Sequence, residues 1–169
     1  IGCRSVNEIQ SDANEETVID AEAVEEASFN AVQVLCGKNL LAADKNGLSD
    51  PYCKLIISNE KDETLLEFKT QVVNKRLNPV WGVESDASKW WKVDKLFAGK
   101  DNADIIKWKF KFLVKDQDGF GHNDELGYVE LSYSDMCKGD CKWFDLNPTE
   151  KMIAKDKNSF ESFNAGDLG

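Results

Sequence analysis

Three aspartates, Asp116, Asp118 and Asp124, crowd into the stretch VKDQDGFGHNDELGYVEL (114–131), with Glu125 beside the last. A second acidic turn, LLAADKNGLSDPYCKL (40–55), carries Asp44 and Asp50. Carboxylates held close together raise one another's pKa and oppose folding unless something positive sits among them. A hard divalent cation meets that need. Calcium accepts about 6–8 oxygen ligands in loose geometry, which carboxylates on two turns supply. Magnesium demands stricter geometry and keeps its waters, so it fits less well. Zinc would call for a set of Cys or His ligands, which these turns, with only His122 and Cys53, lack. "DQDG" opens like an EF-hand loop, but the spacing to a terminal Glu and the flanking helical patterns are missing. His122 is the one histidine of the chain, and no nucleophile–base pair can be assembled around it, so the expectation is no enzyme.

The turns need a scaffold, and the surrounding texture is β-like. "AVQVLC" (31–36) alternates, with Val32 and Val34 on one face. "PYCKLII" (51–57) is apolar and β-branched, and "FKTQVV" (68–73) alternates with basic residues between. "IIKWKFKFLV" (105–114) alternates strictly, Ile106, Trp108, Phe110 and Phe112 against Lys107, Lys109 and Lys111. "GYVELSY" (127–133) and "KWFDL" (142–146) follow. Period-two runs separated by Gly, Asn, Asp and Pro predict an all-β, eight-stranded antiparallel sandwich. In such a sandwich loops gather at two ends, so both acidic turns can meet at one. The source of the last strand stays open between residues 17–24 and 151–163. The longest helix-like stretch is 87–99.

Composition sets the limits. The chain has 169 residues, 41% of them hydrophobic, enough for one domain with a core and some excess. Residues 1–28 hold eight acids against Arg4 alone, which accounts for −7 of the net −10 and leaves −3 for 29–169. That divides the chain into an acidic arm or linker (1–28), a β domain (29–147) and a C-terminal strand or tail (148–169). A surface this acidic repels nucleic acid and, without a cation, anionic membranes. No apolar run approaches the roughly 18 residues of a membrane span. The first residue is Ile1 and no signal peptide is seen, so the chain reads as a processed product or a fragment.

Four segments, taken in order, resemble the C2 domain family. "GKNLLAADKNGLSDPYCKL" resembles its first calcium-binding region, and "KTQVVNKRLNPVW" (69–81) its basic strand and Asn-Pro-x-Trp turn. "VKDQDGFGHNDELGYVEL" resembles the third calcium region, and "KWFDL" the strand near the C-terminus. The likeness spans about 29–147 and implies a C2-like Greek key. It also implies two calcium ions held by Asp44, Asp50, Asp116, Asp118 and Asp124, with main-chain carbonyls of Ala43 and Gln117. Gly121 stands where the family places a helper for a third ion, which does not favour one.

Calcium in such a cup would reverse the local potential and let anionic phospholipid headgroups approach, an electrostatic switch. Leu48 and Phe120 at the loop tips, with Lys45 and His122, are then the expected membrane contacts. Lys69, Lys75 and Arg76 mark the family's basic strand, a thin cluster that also reads as a solvated face. The alternative is a structural or adaptor subunit docking to proteins through the acidic arm 1–28 and the insertion 82–104, where Trp90 and Trp91 adjoin. Of five cysteines, Cys36 with Cys53 and Cys137 with Cys141 are candidate disulfides. Oxidised, they would turn a membrane-peripheral protein towards a secretory or extracellular setting rather than the cytoplasm.

Overall fold

The computed structural model describes the backbone of residues 2–5, and residues 29–119, 123–139, 141–155 and 166–169 in full. Its centre is a four-stranded antiparallel sheet in the order β5-β4-β7-β8. These strands are Pro51–Ser58 (β4), Thr64–Lys69 (β5), Lys109–Asp116 (β7) and Glu125–Ser132 (β8). β4 buries Cys53, Leu55 and Ile57 completely on its inner face. Pro51 opens the strand, where a missing N–H costs the ladder least. β7 buries Phe110, Phe112 and Val114 at every second position. The same alternation carries Asp116 to the inner face at the strand's end. On β8 the alternation breaks between Leu126 and Val129, where the register against β7 shifts at Val114/Lys115. Gly127 sits at that bulge with φ 138°, a conformation a side chain would oppose.

The facing layer is built from two three-stranded patches, β1-β2-β6 and β3-β10-β9. Their strands are Gly2–Ser5 (β1), Phe29–Gln33 (β2), Gly37–Lys38 (β3), Trp91–Lys92 (β6), Phe144–Asp145 (β9) and Asp167–Leu168 (β10). β2 and β3 lie on one chain path, joined by residues 34–36. Phe29 anchors the core, with its ring 5.5 Å edge-on from Phe110 and 5.3 Å from Phe97. Four short α-helices among the described residues decorate the sandwich: Asp94–Phe97 (α1), Asn102–Ile105 (α2), Tyr133–Cys137 (α3) and Glu150–Lys155 (α4). α3 starts on a capping box made by Ser132 and Asp135. The expected antiparallel β-sandwich is therefore the fold observed.

Several boundaries differ from expectation. The run 105–114 is a strand only from Lys109, because Asp101 accepts a hydrogen bond from Ala103 N–H and nucleates α2. Ile106 consequently lies exposed beyond the helix while Trp108 is buried. The strand expected at 68–73 is regular over Thr64–Lys69, and beyond it Thr70 and Val73 N–H still donate to the Cys53 and Pro51 carbonyls of β4 at 2.9 and 3.1 Å. The stretch 87–99 is not one helix but a 3-10 turn (Ala87–Lys89), β6 and α1. Trp91 stacks on Phe68 with ring centroids 5.3 Å apart, and Trp90 folds back to donate to the Glu84 carbonyl at 3.3 Å. Residues 151–155 form α4 rather than the last strand, and the facing layer is completed by β1 and β10. Residues 6–28, including the segment 17–24, lie outside the described residues, as do 156–165.

Neither candidate disulfide forms. Cys36, Cys53, Cys137 and Cys141 are all thiols, and the Cys137 thiol hydrogen-bonds with Tyr133. Cys53 is wholly buried in the core, where burial pushes its pKa far up and leaves it inert. The lean towards a secretory or extracellular setting rested on those bridges and has no support.

Candidate metal centre

Strand register brings the acidic turns together. β4 begins where β7 ends, with Pro51 paired to Asp116. β8 begins beside them, with Glu125 paired to Lys115. Loops 41–50 and 70–76 and the described residues 117–119 and 123–124 therefore share one end of the sandwich.

The first loop is fixed mainly by its own backbone and by one serine. Asp44 N–H donates to the Leu48 carbonyl at 3.1 Å, and Gly47 N–H to the Asp44 carbonyl at 3.0 Å. Gly47 makes this reversal with φ 77°, open space lying where a Cβ would be. Ser49 is fully buried and braces the loop from inside. Its hydroxyl accepts Ala43 N–H at 3.0 Å and donates to the Leu41 carbonyl at 2.7 Å. The third loop is tied to the first by Gln117 N–H, which donates to the Asp50 carbonyl at 3.1 Å. Asn123 closes it: its side-chain oxygen accepts Asp118 N–H at 3.2 Å while its amide donates to the Tyr52 hydroxyl at 2.8 Å.

These ties aim three carboxylates at one point. Asp44, Asp116 and Asp118 each offer an oxygen, and the three oxygens lie within 4.8 Å of one another. Asp116 is the floor, 1% exposed. One of its oxygens, Oδ1, accepts Asp50 N–H at 2.5 Å. The other, Oδ2, is buried with no hydrogen-bond partner among the described residues. An ionised oxygen buried without a partner is costly, and native proteins rarely tolerate one without a counter-charge. Burial pushes the Asp116 pKa up, and the neighbouring charges of Asp44, Asp118 and Asp50 push it further, against the hydrogen bond from Asp50 N–H. The donor set is all oxygen, hard and anionic, and suits calcium rather than a soft metal.

The other two aspartates stand differently. The Asp50 carboxylate accepts Lys75 N–H at 2.6 Å. Lys75 adopts φ 53°, a left-handed conformation uncommon for lysine, which directs its backbone at the cup. The Asp124 carbonyl accepts Asp116 N–H at 2.8 Å, while its carboxylate Oδ1 pairs with Lys155. Ala43 and Gln117 are exposed on the rim, and Lys45 is exposed beside them. Leu48 is half-buried rather than projecting freely. Phe120, Gly121 and His122 lie outside the described residues. Lys69 lies over the Tyr52 ring, 3.8 Å from its centroid, and reaches the Gln117 side chain at 3.4 Å. Lys69 thus borders the cup, whereas Lys75 acts on it through its main chain and Arg76 N–H serves the Ser49 carbonyl at 2.8 Å.

Sequence reasoning missed the bracing roles of Ser49 and Asn123, and the approach of Lys155. Asn123 had a local signal, since Asn two residues before a strand commonly closes a turn through its side chain. Lys155 had none, being 31 residues from its partner.

An antiparallel sandwich whose end loops converge aspartates on a buried carboxylate defines the class. The C2 domain profile matches residues 30–146, and the chain belongs to that family. It is similar to Tricalbin-1 of Saccharomyces cerevisiae, 53% identical over 94 residues, 56% of this chain and 7% of that protein. Tricalbin-3 of the same yeast is 29% identical over 140 residues, covering 83% of this chain and 8% of that protein. A C2 and GRAM domain-containing protein of Arabidopsis thaliana is 32% identical over 130 residues, covering 74% and 11%. The chain therefore spans only a small part of these relatives. In fold it is similar to a C2 domain of plant Extended Synaptotagmin 1, with a TM-score of 0.52 and 22% identity, covering 82% of this chain and 86% of that one. A C2 domain of Drosophila RIM gives a TM-score of 0.53 at 19% identity, over 69% and 85%.

Proposed function

We propose that this chain is a calcium-gated module that docks to anionic phospholipid surfaces and carries no catalysis of its own. The observation that carries the reading is the buried oxygen of Asp116 that has no hydrogen-bond partner among the described residues and lies beside Asp44 and Asp118. Asp50 and Asp124, with the main-chain carbonyls of Ala43 and Gln117, complete the ligand set for two ions. Two calcium ions add +4 to a stretch, residues 29–169, that carries −3. The change of sign falls at the loop end, where Lys45 and Lys69 add to it and Leu48, Phe120 and His122 meet the interface.

The test is sedimentation with vesicles of phosphatidylcholine alone or with phosphatidylserine, in calcium or in chelator. Binding that needs both calcium and phosphatidylserine, and weakens in Phe120→Ala, supports the reading. Binding that ignores calcium refutes it.

Exposed apolar side chains favour a second reading. Val80 and Val83 are 60% and 53% exposed where the insertion 82–104 begins, a surface suited to a protein partner in an adaptor role. Vesicle binding unaffected by calcium would turn attention there.

A further inference from the structure

α4 is held to the sandwich by buried contacts rather than by its lysines. Met152 is 8% exposed, its N–H donates to the Thr149 hydroxyl at 3.3 Å, and Ile153 N–H donates to the Thr149 carbonyl at 3.0 Å. Just before it, Asn147 and Tyr128 of β8 exchange backbone hydrogen bonds at 2.9 and 2.8 Å. Lys151 and Lys155 stand four apart and so share one face of this helix. They meet two adjacent acids at the start of β8. Lys151 pairs with Glu125 at 2.8 Å, and Lys155 pairs with Asp124. Asp124 is one of the proposed calcium ligands, and Glu125 is not.

We infer that Lys155 is a built-in counter-ion which occupies the Asp124 carboxylate in the metal-free protein and must be displaced, or carried away with α4, when calcium binds. The inference rests on the calcium reading above. An ammonium held against a calcium ligand repels the incoming dication, so the pair weakens calcium binding. Displacement frees a cation at the end of the domain that faces the lipid, coupling calcium occupancy to headgroup attraction. Both partners are partly exposed, so the effect is modest, about two- to five-fold in affinity.

The experiment is calorimetric titration of the full chain with calcium chloride, for wild type, Lys155→Met and Lys151→Met, at low salt and at about 0.5 M salt. Lys151→Met removes the same charge from the neighbouring pair and controls for general electrostatics. Lys155 is well exposed, so its replacement leaves folding intact, which a melt in chelator verifies. The expected result is calcium binding two- to five-fold tighter in Lys155→Met than in wild type. The gain is smaller in Lys151→Met and shrinks at high salt. Equal affinities in wild type and Lys155→Met overturn the counter-ion and leave the calcium reading standing. An equal gain in both lysine variants also overturns it, since that is general electrostatics alone. No calcium binding in any of the three overturns both.

Discussion

Replacing Asp116 with Asn should have opposite effects with and without calcium. In the metal-free protein Asp116 is a buried carboxylate, one oxygen of which has no partner among the described residues, beside the acids Asp44 and Asp118. Asn keeps an oxygen to accept Asp50 N–H and discards the charge. Relieving an unsatisfied buried charge of this kind is worth about 1.5 kcal/mol. For a domain of this size that raises the melting temperature by roughly 3–6 °C. With calcium at about 100 times its Kd, the wild type gains about 2.7 kcal/mol, or roughly 5–11 °C. The variant, its floor ligand neutral, loses most of that gain. Melts of the two proteins in chelator and in calcium should therefore cross, with the variant more stable without metal and less stable with it. A variant that is less stable than wild type in chelator would refute the reasoning, because Asp116 would then be satisfied in a way the geometry does not provide.

Three further outcomes rest on the same geometry. The Asp116 pKa is raised in the folded state, so its ionisation opposes folding above that pKa; in chelator the wild type should gain stability as pH falls from neutral towards it, and Asp116→Asn should lack this component in parallel pH-dependent melts. Asn123→Ala removes the acceptor for Asp118 N–H and the donor to Tyr52, and should weaken calcium binding about ten-fold by calorimetry while the fold survives. Phe112→Ala opens a cavity in the centre of β7 and should cost about 3–5 kcal/mol in denaturant unfolding, far from the cup.

Much of the scaffold was legible because burial on one face imprints a period of two. β7 shows this best: Phe110, Phe112 and Val114 predict the inward face, and the same count places Asp116 inward. β4 was legible instead as an apolar, β-branched run. The two-residue strands β3, β6 and β10 were not, since two residues carry no periodicity and their pairing is set by distant chain, whereas β9 lies within the run KWFDL (142–146). β5 was placed too late because residues 64–69 are all exposed or half-buried, so no buried position marks an inward face. α2 hid inside an apparently perfect alternation, where the cap at Asp101 outweighed the pattern.

The acids themselves stand out in the sequence, and oxygens of Asp44, Asp116 and Asp118 lie within 4.8 Å of one another. What was not legible lies in the backbone and in long-range pairing. Nothing in "VNKRLN" announces that Lys75 will adopt a left-handed turn to serve Asp50. Nothing near Asp124 announces Lys155, because only the packing of Met152 beneath α4 brings that lysine to the loop.

The most direct test of the central claim is calorimetric calcium titration of the wild type beside Asp116→Asn/Asp118→Asn. The account predicts saturable binding of two ions in the wild type and loss of that binding in the double variant. Binding of equal strength in both proteins, or none by the wild type up to millimolar calcium, would contradict it.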